Sequence, residues 1–452
     1  MKSFNPATGA FIRDYAEHDA SSVSHRLDSA AAAFRVWRAV GFGDRSKLMR
    51  AAAGVLRSDR DGLARLMTGE MGKPIAQSEA EVEKCAWVCE FFAENAERFL
   101  SPEEIATDAS RSLTRCDPLG VVLAVMPWNF PFWQVFRCAA PAIMAGNTVI
   151  LKHASNVPGS ALAIEDVFRR AGFPAGVFTT LLVGSGQVGA LIAHPAVRAV
   201  SLTGSEAAGG AVAAAAGRAL KKTVLELGGS DPFIVLADAD LPGAAEQAAA
   251  ARCINNGQSC IAAKRFIVED AVAEPFEAAF IERMAALPVG DPTDRRVAVG
   301  PLAREDLIAE LDRQVRESVR LGAVLGTGGR RLERPGFFYA PTVLTRVRPG
   351  MPAHDEETFG PVAAVIRARD AEHAVEIANQ SRYGLGASVW TADARRGEAL
   401  AAAIEAGAVF VNGMVKSDPR LPFGGVKCSG YGRELSAAGI REFVNLKTVW
   451  IR

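Results

Sequence analysis

The 452-residue chain has no surplus of either charge: Lys plus Arg and Asp plus Glu number 51 each. Such a balance gives no electrostatic case for nucleic acid or an anionic membrane surface. No stretch comes near the roughly 18 consecutive apolar residues of a membrane-spanning helix. The start Met1-Lys2-Ser3-Phe4-Asn5-Pro6 lacks the apolar core of a secretion signal. These absences lead us to expect a cytoplasmic protein. Cysteine is sparse, seven residues without a short-spaced framework, which argues against a disulfide scaffold. Cys85 and Cys89 stand one helical turn apart, but no Cys or His cluster accompanies them, and they read as a helix-face pair. The six His form no ligand motif, so no metal site is expected. Internal repeats and low-complexity linkers are missing too.

What is present is a large globular chain, 49% hydrophobic and 23% charged, long enough for two or three domains. Residues 16–110 read as mostly helical, with apolar positions at helical spacing in 30–37, 45–57 and 78–99 and a break at Gly72-Lys73-Pro74. Their charged faces are solvated faces on this reading, and the region serves as scaffold.

From residue 115 the pattern changes to alternating strands and helices. Val121-Val122-Leu123-Ala124-Val125-Met126 is a buried-strand run that opens into Pro127-Trp128-Asn129-Phe130-Pro131. The prolines place Asn129 on a rigid turn at a strand's C-terminal end, and a fixed side-chain amide suits an oxyanion site. A second strand ends at Lys152, whose ammonium can reach a phosphate or ribose hydroxyl. A third is followed by Gly184-Ser185-Gly186-Gln187-Val188-Gly189, a literal G-x-G-x-x-G, weak alone. A fourth ends at Leu202-Thr203-Gly204-Ser205, where a helix start can hold a phosphate on free backbone N–H groups. Repeated alternation predicts a parallel, doubly wound sheet that binds a nucleotide.

Two residues then carry reactive chemistry. Glu226 lies inside the apolar run Thr223-Val224-Leu225-Glu226-Leu227-Gly228-Gly229, where burial would raise its pKa and make it a candidate general base. Cys260 ends the amide-rich loop Asn255-Asn256-Gly257-Gln258-Ser259-Cys260, whose small neighbours leave room beside the sulfur. One further strand and helix fit between them, so the two can meet at a domain boundary. Later stretches include Glu356-Glu357-Thr358-Phe359-Gly360-Pro361 on a tight turn, the glycine-rich residues 422–434, and an apolar C-terminal edge strand that needs covering, a role that a second subunit would fill.

In order, Pro127 to Pro131, Leu202 to Ser205, Glu226 to Gly229, Gly257 to Cys260, Glu357 to Val362 and Pro422 to Glu434 resemble the motifs of the aldehyde dehydrogenase superfamily over essentially the whole chain. Lys152-His153-Ala154 and Glu226 to Phe233 look most like the short bacterial NAD(P)-dependent succinate-semialdehyde dehydrogenases. The resemblance implies an α/β fold of two doubly wound parallel-sheet domains and a β bridging arm. Residues 1–99 and 121–228 would form the dinucleotide-binding domain, 229–434 the catalytic domain, and 100–120 with 435–452 the arm of a homodimer or homotetramer. It also implies that Cys260 attacks the aldehyde, that Asn129 and the Cys260 N–H hold the oxyanion, and that Glu226 activates water against the thioester. Trp128, Lys152, Ser155, Gly184, Gly204, Ser205, Leu227, Glu357 and Phe359 would line the cofactor site.

Departures from the family pattern bear on specificity. Where many NAD-preferring relatives carry a glutamate against the ribose hydroxyls, this chain has Ser155, which leaves NADP open; the subgroup resemblance favours NAD. Arg137 matches an arginine that grips the distal carboxylate, with a structural arginine as the alternative. A second arginine before the nucleophile is replaced by Ile254, and Ser417 and Arg420 are candidates for the missing contacts. Ala262 stands where some relatives carry a regulatory cysteine, so no local disulfide switch is available, which leaves Cys253 as the thiol that could approach Cys260 from elsewhere. The alternatives to succinic semialdehyde oxidation are oxidation of other small aliphatic or aromatic aldehydes, CoA-acylating chemistry and a silent binding protein.

Overall fold

The computed structural model describes residues 1–452. Runs rich in Val, Ile and Leu form a six-stranded sheet in which Val121–Met126 is central. Thr148–His153 and Phe178–Leu181 extend it on one side, Val197–Thr203 and Lys222–Glu226 on the other, all parallel. Gly430–Tyr431 closes that edge antiparallel. These strands are buried on both faces, which is why they lack apolar–polar alternation. Helices Phe42–Ser58, Ile75–Leu100, Trp133–Met144 and Pro158–Arg170 pack a 50-residue core on one face. Helices Ala20–Trp37, Val188–Ala193 and Glu206–Arg218 cover the other. The chain order turns round at Val121–Met126, so the crevice between its end and that of Val197–Thr203 is the topological switch point, where open α/β sheets bind ligands.

A seven-stranded sheet follows, centred on Asp231–Val235, Ala263–Glu269 and Val362–Ala368, with one antiparallel edge strand, Val324–Thr327. Its two faces carry separate cores of 25 and 19 buried residues. A three-stranded antiparallel sheet joins Glu103–Glu104, Arg111–Pro118 and Val444–Ile451 in continuous register from Val444 opposite Pro118 to Ile451 opposite Arg111. Leu446, Trp450 and Ile451 remain exposed on it. No helix is long and apolar enough to cross a membrane.

The glycine fingerprint at residues 184–189 requires a correction. It follows Phe178–Leu181, the edge strand, where the strand order does not reverse, and opens only a 3-10 turn and the six-residue helix Val188–Ala193. It is therefore a surface turn of the sheet edge rather than the phosphate loop of the switch point.

Candidate active site

The chain crosses from the first sheet to the second between Glu226 and Asp231, and the loop bearing Cys260 lies just before the strand paired to Asp231. The amide side chains of that loop are staples. Asn255 and Asn256 adopt left-handed backbone, φ 56° and 60°, which Asn tolerates better than most residues. Asn255 Nδ2 donates to the carbonyls of Asn129 (2.7 Å) and Gln258 (3.0 Å). Asn256 Nδ2 donates to the carbonyls of Gly72 and Pro301, and its oxygen accepts the Gly300 N–H. Gly257 has φ 74°, and a Cβ there would strike the Gly360 backbone. Lys264 Nζ fastens the end of the loop, donating to the carbonyls of Ser259 and Cys260 at 2.8 Å each.

Asn129 Nδ2 donates to the Gln258 carbonyl at 3.1 Å, which leaves its second N–H free. The Cys260 N–H makes no backbone hydrogen bond. Both donors therefore remain open to a developing oxyanion. His153, deeply buried, fixes the Asn129 turn: its Nε2 meets the Pro131 carbonyl at 2.8 Å, while Nδ1 accepts the Ala154 N–H. Burial pushes its pKa down to about 4, so it is a neutral brace.

Cys260 lies where two cavities meet, and Gln134 lines both with it. One, about 370 Å³, is bounded by Trp128, Gly204, Ser205, Leu227, Glu357 and Phe359. Trp128 and Phe359 stand edge-to-face at 5.8 Å. Glu357 is held by the Gly229 N–H at 3.1 Å and by Lys264 at 3.4 Å. The glycine pair has a steric cause: a Cβ at Gly228 would collide with the Glu357 carboxylate, and one at Gly229 would come within 2.8 Å of the Cys260 carbonyl. Lys152, 7% exposed at the end of the second strand, has no hydrogen-bond or ion-pair partner for its ammonium. An orphaned lysine, a solvent-facing helix start at Ser205, capped by its own hydroxyl on the Ala208 N–H, and a positioned carboxylate fit a dinucleotide. Ser155 is exposed on the turn after Lys152, and Gly184 does not line the cavity.

The second cavity, about 200 Å³, is bounded by Phe130, Trp133, Phe423, Arg137, Lys84 and Ser417 among others. Arg137 is not free there. It pairs with Glu434, donates to Thr203 Oγ1 at 3.2 Å and lies 4.7 Å over Phe423. Lys84 was missed because residues 16–110 read as scaffold. It belongs to Ile75–Leu100, whose Gln77, Ala80, Glu81 and Lys84 fall on one helical face and line the chamber. That i, i+3, i+4, i+7 spacing, polar at three of four positions on a helix with a buried face, was the available signal. Arg420 needs a correction: it does not line the chamber but is forked onto Asp418 at 2.9 and 2.6 Å, out over Trp87. Cys253 does not approach Cys260 either; its sulfur lies 3.7 Å from that of Met284.

Glu226 stands apart from both cavities. It is 2% exposed with neither carboxylate oxygen hydrogen-bonded. Burial first, then the neighbouring Glu434, hold its pKa well above the usual range, against the opposing pull of Arg137 and Arg433. Burial likewise pushes the Cys260 thiol up to about 12, although Arg137 and Lys264 favour the thiolate.

The profile of the Aldehyde dehydrogenase family matches residues 1–449. The chain belongs to that family. A probable succinate-semialdehyde dehydrogenase [NADP(+)] of Synechocystis is 53% identical over all of this chain and 99% of its own length. Succinate-semialdehyde dehydrogenase [NADP(+)] 1 of Mycobacterium tuberculosis is 52% identical with the same coverage. The crystal structure of succinic semialdehyde dehydrogenase from Streptococcus pyogenes with NADP+ superposes with a TM-score of 0.97 at 37% identity, covering 100% of this chain and 99% of that one. The protein is an NAD(P)-dependent aldehyde dehydrogenase, and its α/β architecture is that of the family.

Proposed function

We propose that this aldehyde dehydrogenase oxidises succinic semialdehyde to succinate and that NADP is its preferred acceptor. The observation that carries the substrate is the chamber beside Cys260, half of whose lining is apolar and which presents the cations Lys84, Arg137 and Lys416 to a small aldehyde. A four-carbon semialdehyde offers a carboxylate there while its carbonyl meets the sulfur. The names of the relatives from Synechocystis and M. tuberculosis point the same way. For the cofactor, those names favour NADP over the NAD preference read from the sequence, and the exposed Ser155 offers no carboxylate to repel a 2′-phosphate.

In this reading Cys260, once deprotonated, adds to the aldehyde carbon. The Asn129 amide and the Cys260 N–H receive the oxyanion; one such donor contributes about 3–4 kcal/mol in comparable sites. The dinucleotide, when bound, supplies the hydride acceptor. Cys260 is left as a thioester, and Glu226 takes a proton from the water that hydrolyses it. To do so its side chain must rotate out of the buried position it occupies here. The exposed apolar residues of the three-stranded sheet suit cover by a second copy of the chain.

Initial rates with succinic semialdehyde and butyraldehyde, each with NADP and NAD, test the reading. A strong preference for succinic semialdehyde with NADP is expected. Equal turnover of the two aldehydes would remove the substrate assignment, and a preference for NAD would remove the cofactor assignment.

A further inference from the structure

Arg137, the arginine that the sequence offers as the carboxylate clamp, already holds a carboxylate. Its Nε side is taken by Glu434 and its Nη2 by Thr203. A guanidinium so engaged is largely neutralised toward the chamber. Lys84 is in the opposite condition. Its ammonium lies 4.3 Å over the Trp133 ring, donates only to Ser417 Oγ at 2.8 Å, and has no carboxylate within ion-pairing distance. Glu81, one turn away on the same helix, is committed to Lys73 and to the N–H groups of Phe132 and Trp133. Asp418 beyond Ser417 is taken by Arg420. Of the chamber's other cations, Arg137 is charge-paired with Glu434 and Lys416 is exposed at its border; Lys84 is the unpaired cation within it, with two unused donors, positioned by an aromatic ring and a hydroxyl.

We infer that Lys84, oriented by Ser417 and Trp133, is the group that binds the distal carboxylate of the substrate, and that Arg137 serves instead to hold Glu434 in place. This rests on the succinic semialdehyde reading above and names the residue that enforces it. Ser417 can add a second hydrogen bond to the same carboxylate, since its hydroxyl proton is not used by the Lys84 contact.

The charge state of Lys84 ties this recognition to pH. Burial lowers its pKa to about 8, and Arg137 across the chamber adds to the lowering; Cys85 and Glu81 on its own helix and Asp418 on the facing loop oppose it. Lys416 also borders the chamber. Above that pH the free enzyme loses the ammonium, so the KM for a carboxylate-bearing aldehyde climbs by up to about tenfold per pH unit. An aldehyde without a carboxylate has no such limb.

The test is steady-state kinetics from pH 6.5 to 9.5 on the wild type, Lys84→Met and Lys84→Arg, with succinic semialdehyde and butyraldehyde. Methionine keeps the stem that packs on Trp133 and removes only the charge. We expect Lys84→Met to raise the KM for succinic semialdehyde by on the order of 10- to 100-fold. The loss should appear in KM rather than kcat, and kcat/KM for succinic semialdehyde should fall far more than that for butyraldehyde. The alkaline KM limb should vanish in Lys84→Met and move upward in Lys84→Arg. A Lys84→Met enzyme that keeps its preference for succinic semialdehyde, or keeps the limb, overturns the role of Lys84 alone. A wild type that does not distinguish the two aldehydes overturns the substrate reading and this inference with it. Should Lys84→Met fail to fold, a wild-type KM that stays flat across pH 8 overturns the inference by itself.

Discussion

Arg137 and Glu434 form an ion pair with only 2% and 3% of their side chains exposed, and Glu226 lies within the field of both. Burial is the main force holding the proton on Glu226; Glu434 adds to it and Arg137 opposes it, and neither is hydrogen-bonded to the candidate base.

Arg137→Ala should therefore act on stability and on every substrate. It leaves Glu434 buried beside Glu226 without a counter-charge, a change that costs about 3–5 kcal/mol in comparable buried pairs. Urea unfolding should report that loss, and turnover of succinic semialdehyde and butyraldehyde should fall together. A loss confined to succinic semialdehyde, with stability intact, would return the carboxylate clamp to Arg137.

The half-buried thiol of Cys260, with its pKa pushed up to about 12, should alkylate slowly in the free enzyme. Peptide mass spectrometry after iodoacetamide at pH 7.5 should find it labelled more slowly than an ordinary exposed thiol. Its rate should rise about tenfold per pH unit between pH 8 and 10, because the thiolate is the reactive form. Rapid labelling at neutral pH would show that the resting enzyme already holds a thiolate.

Glu226→Gln separates oxidation from hydrolysis. The variant should release about one equivalent of reduced cofactor per site in a burst and then turn over at least about 100-fold more slowly. It should also change the pH dependence of stability. The carboxyl binds its proton more tightly folded than unfolded, so its contribution is full below the ordinary value of 4.5 and is lost as pH rises toward the folded value. Glu226→Gln should lose less stability than the wild type on going alkaline, as denaturant titrations at pH 6 and pH 9 would measure.

Ser155→Glu should shift the kcat/KM ratio of NADP to NAD toward NAD by about tenfold or more, through repulsion of the 2′-phosphate. The position is exposed, so thermal stability should not move. An unchanged ratio would place discrimination between the cofactors at other residues.

Much of this molecule was legible in the chain because local pattern and local chemistry agreed. Val121 to Met126 could only be a strand buried on both faces, and the proline-bracketed turn after it could only hold Asn129 rigidly. The repeated alternation of strand and helix specified parallel sheets, and the six ordered motifs specified the family. The amide-rich loop before Cys260 was legible as a loop, although nothing local revealed that its two asparagines hold left-handed backbone and fasten Gly72, Pro301 and the Asn129 turn.

What the sequence by itself determined was which residues carry chemistry: a thiol on a small-residue loop, an amide at a strand end, a carboxylate in an apolar strand. Only the tertiary structure decided which of them meet. It turned the G-x-G-x-x-G stretch onto a sheet edge, spent Arg137 on Glu434, drew Arg420 out to Asp418, and brought Lys84 from a helix without motifs to the chamber beside Cys260. The physical reason is that charge neutralisation and burial depend on neighbours distant along the chain. Arg137 and Glu434 are nearly 300 positions apart in the sequence and in contact in the fold. No local pattern encodes such a partner.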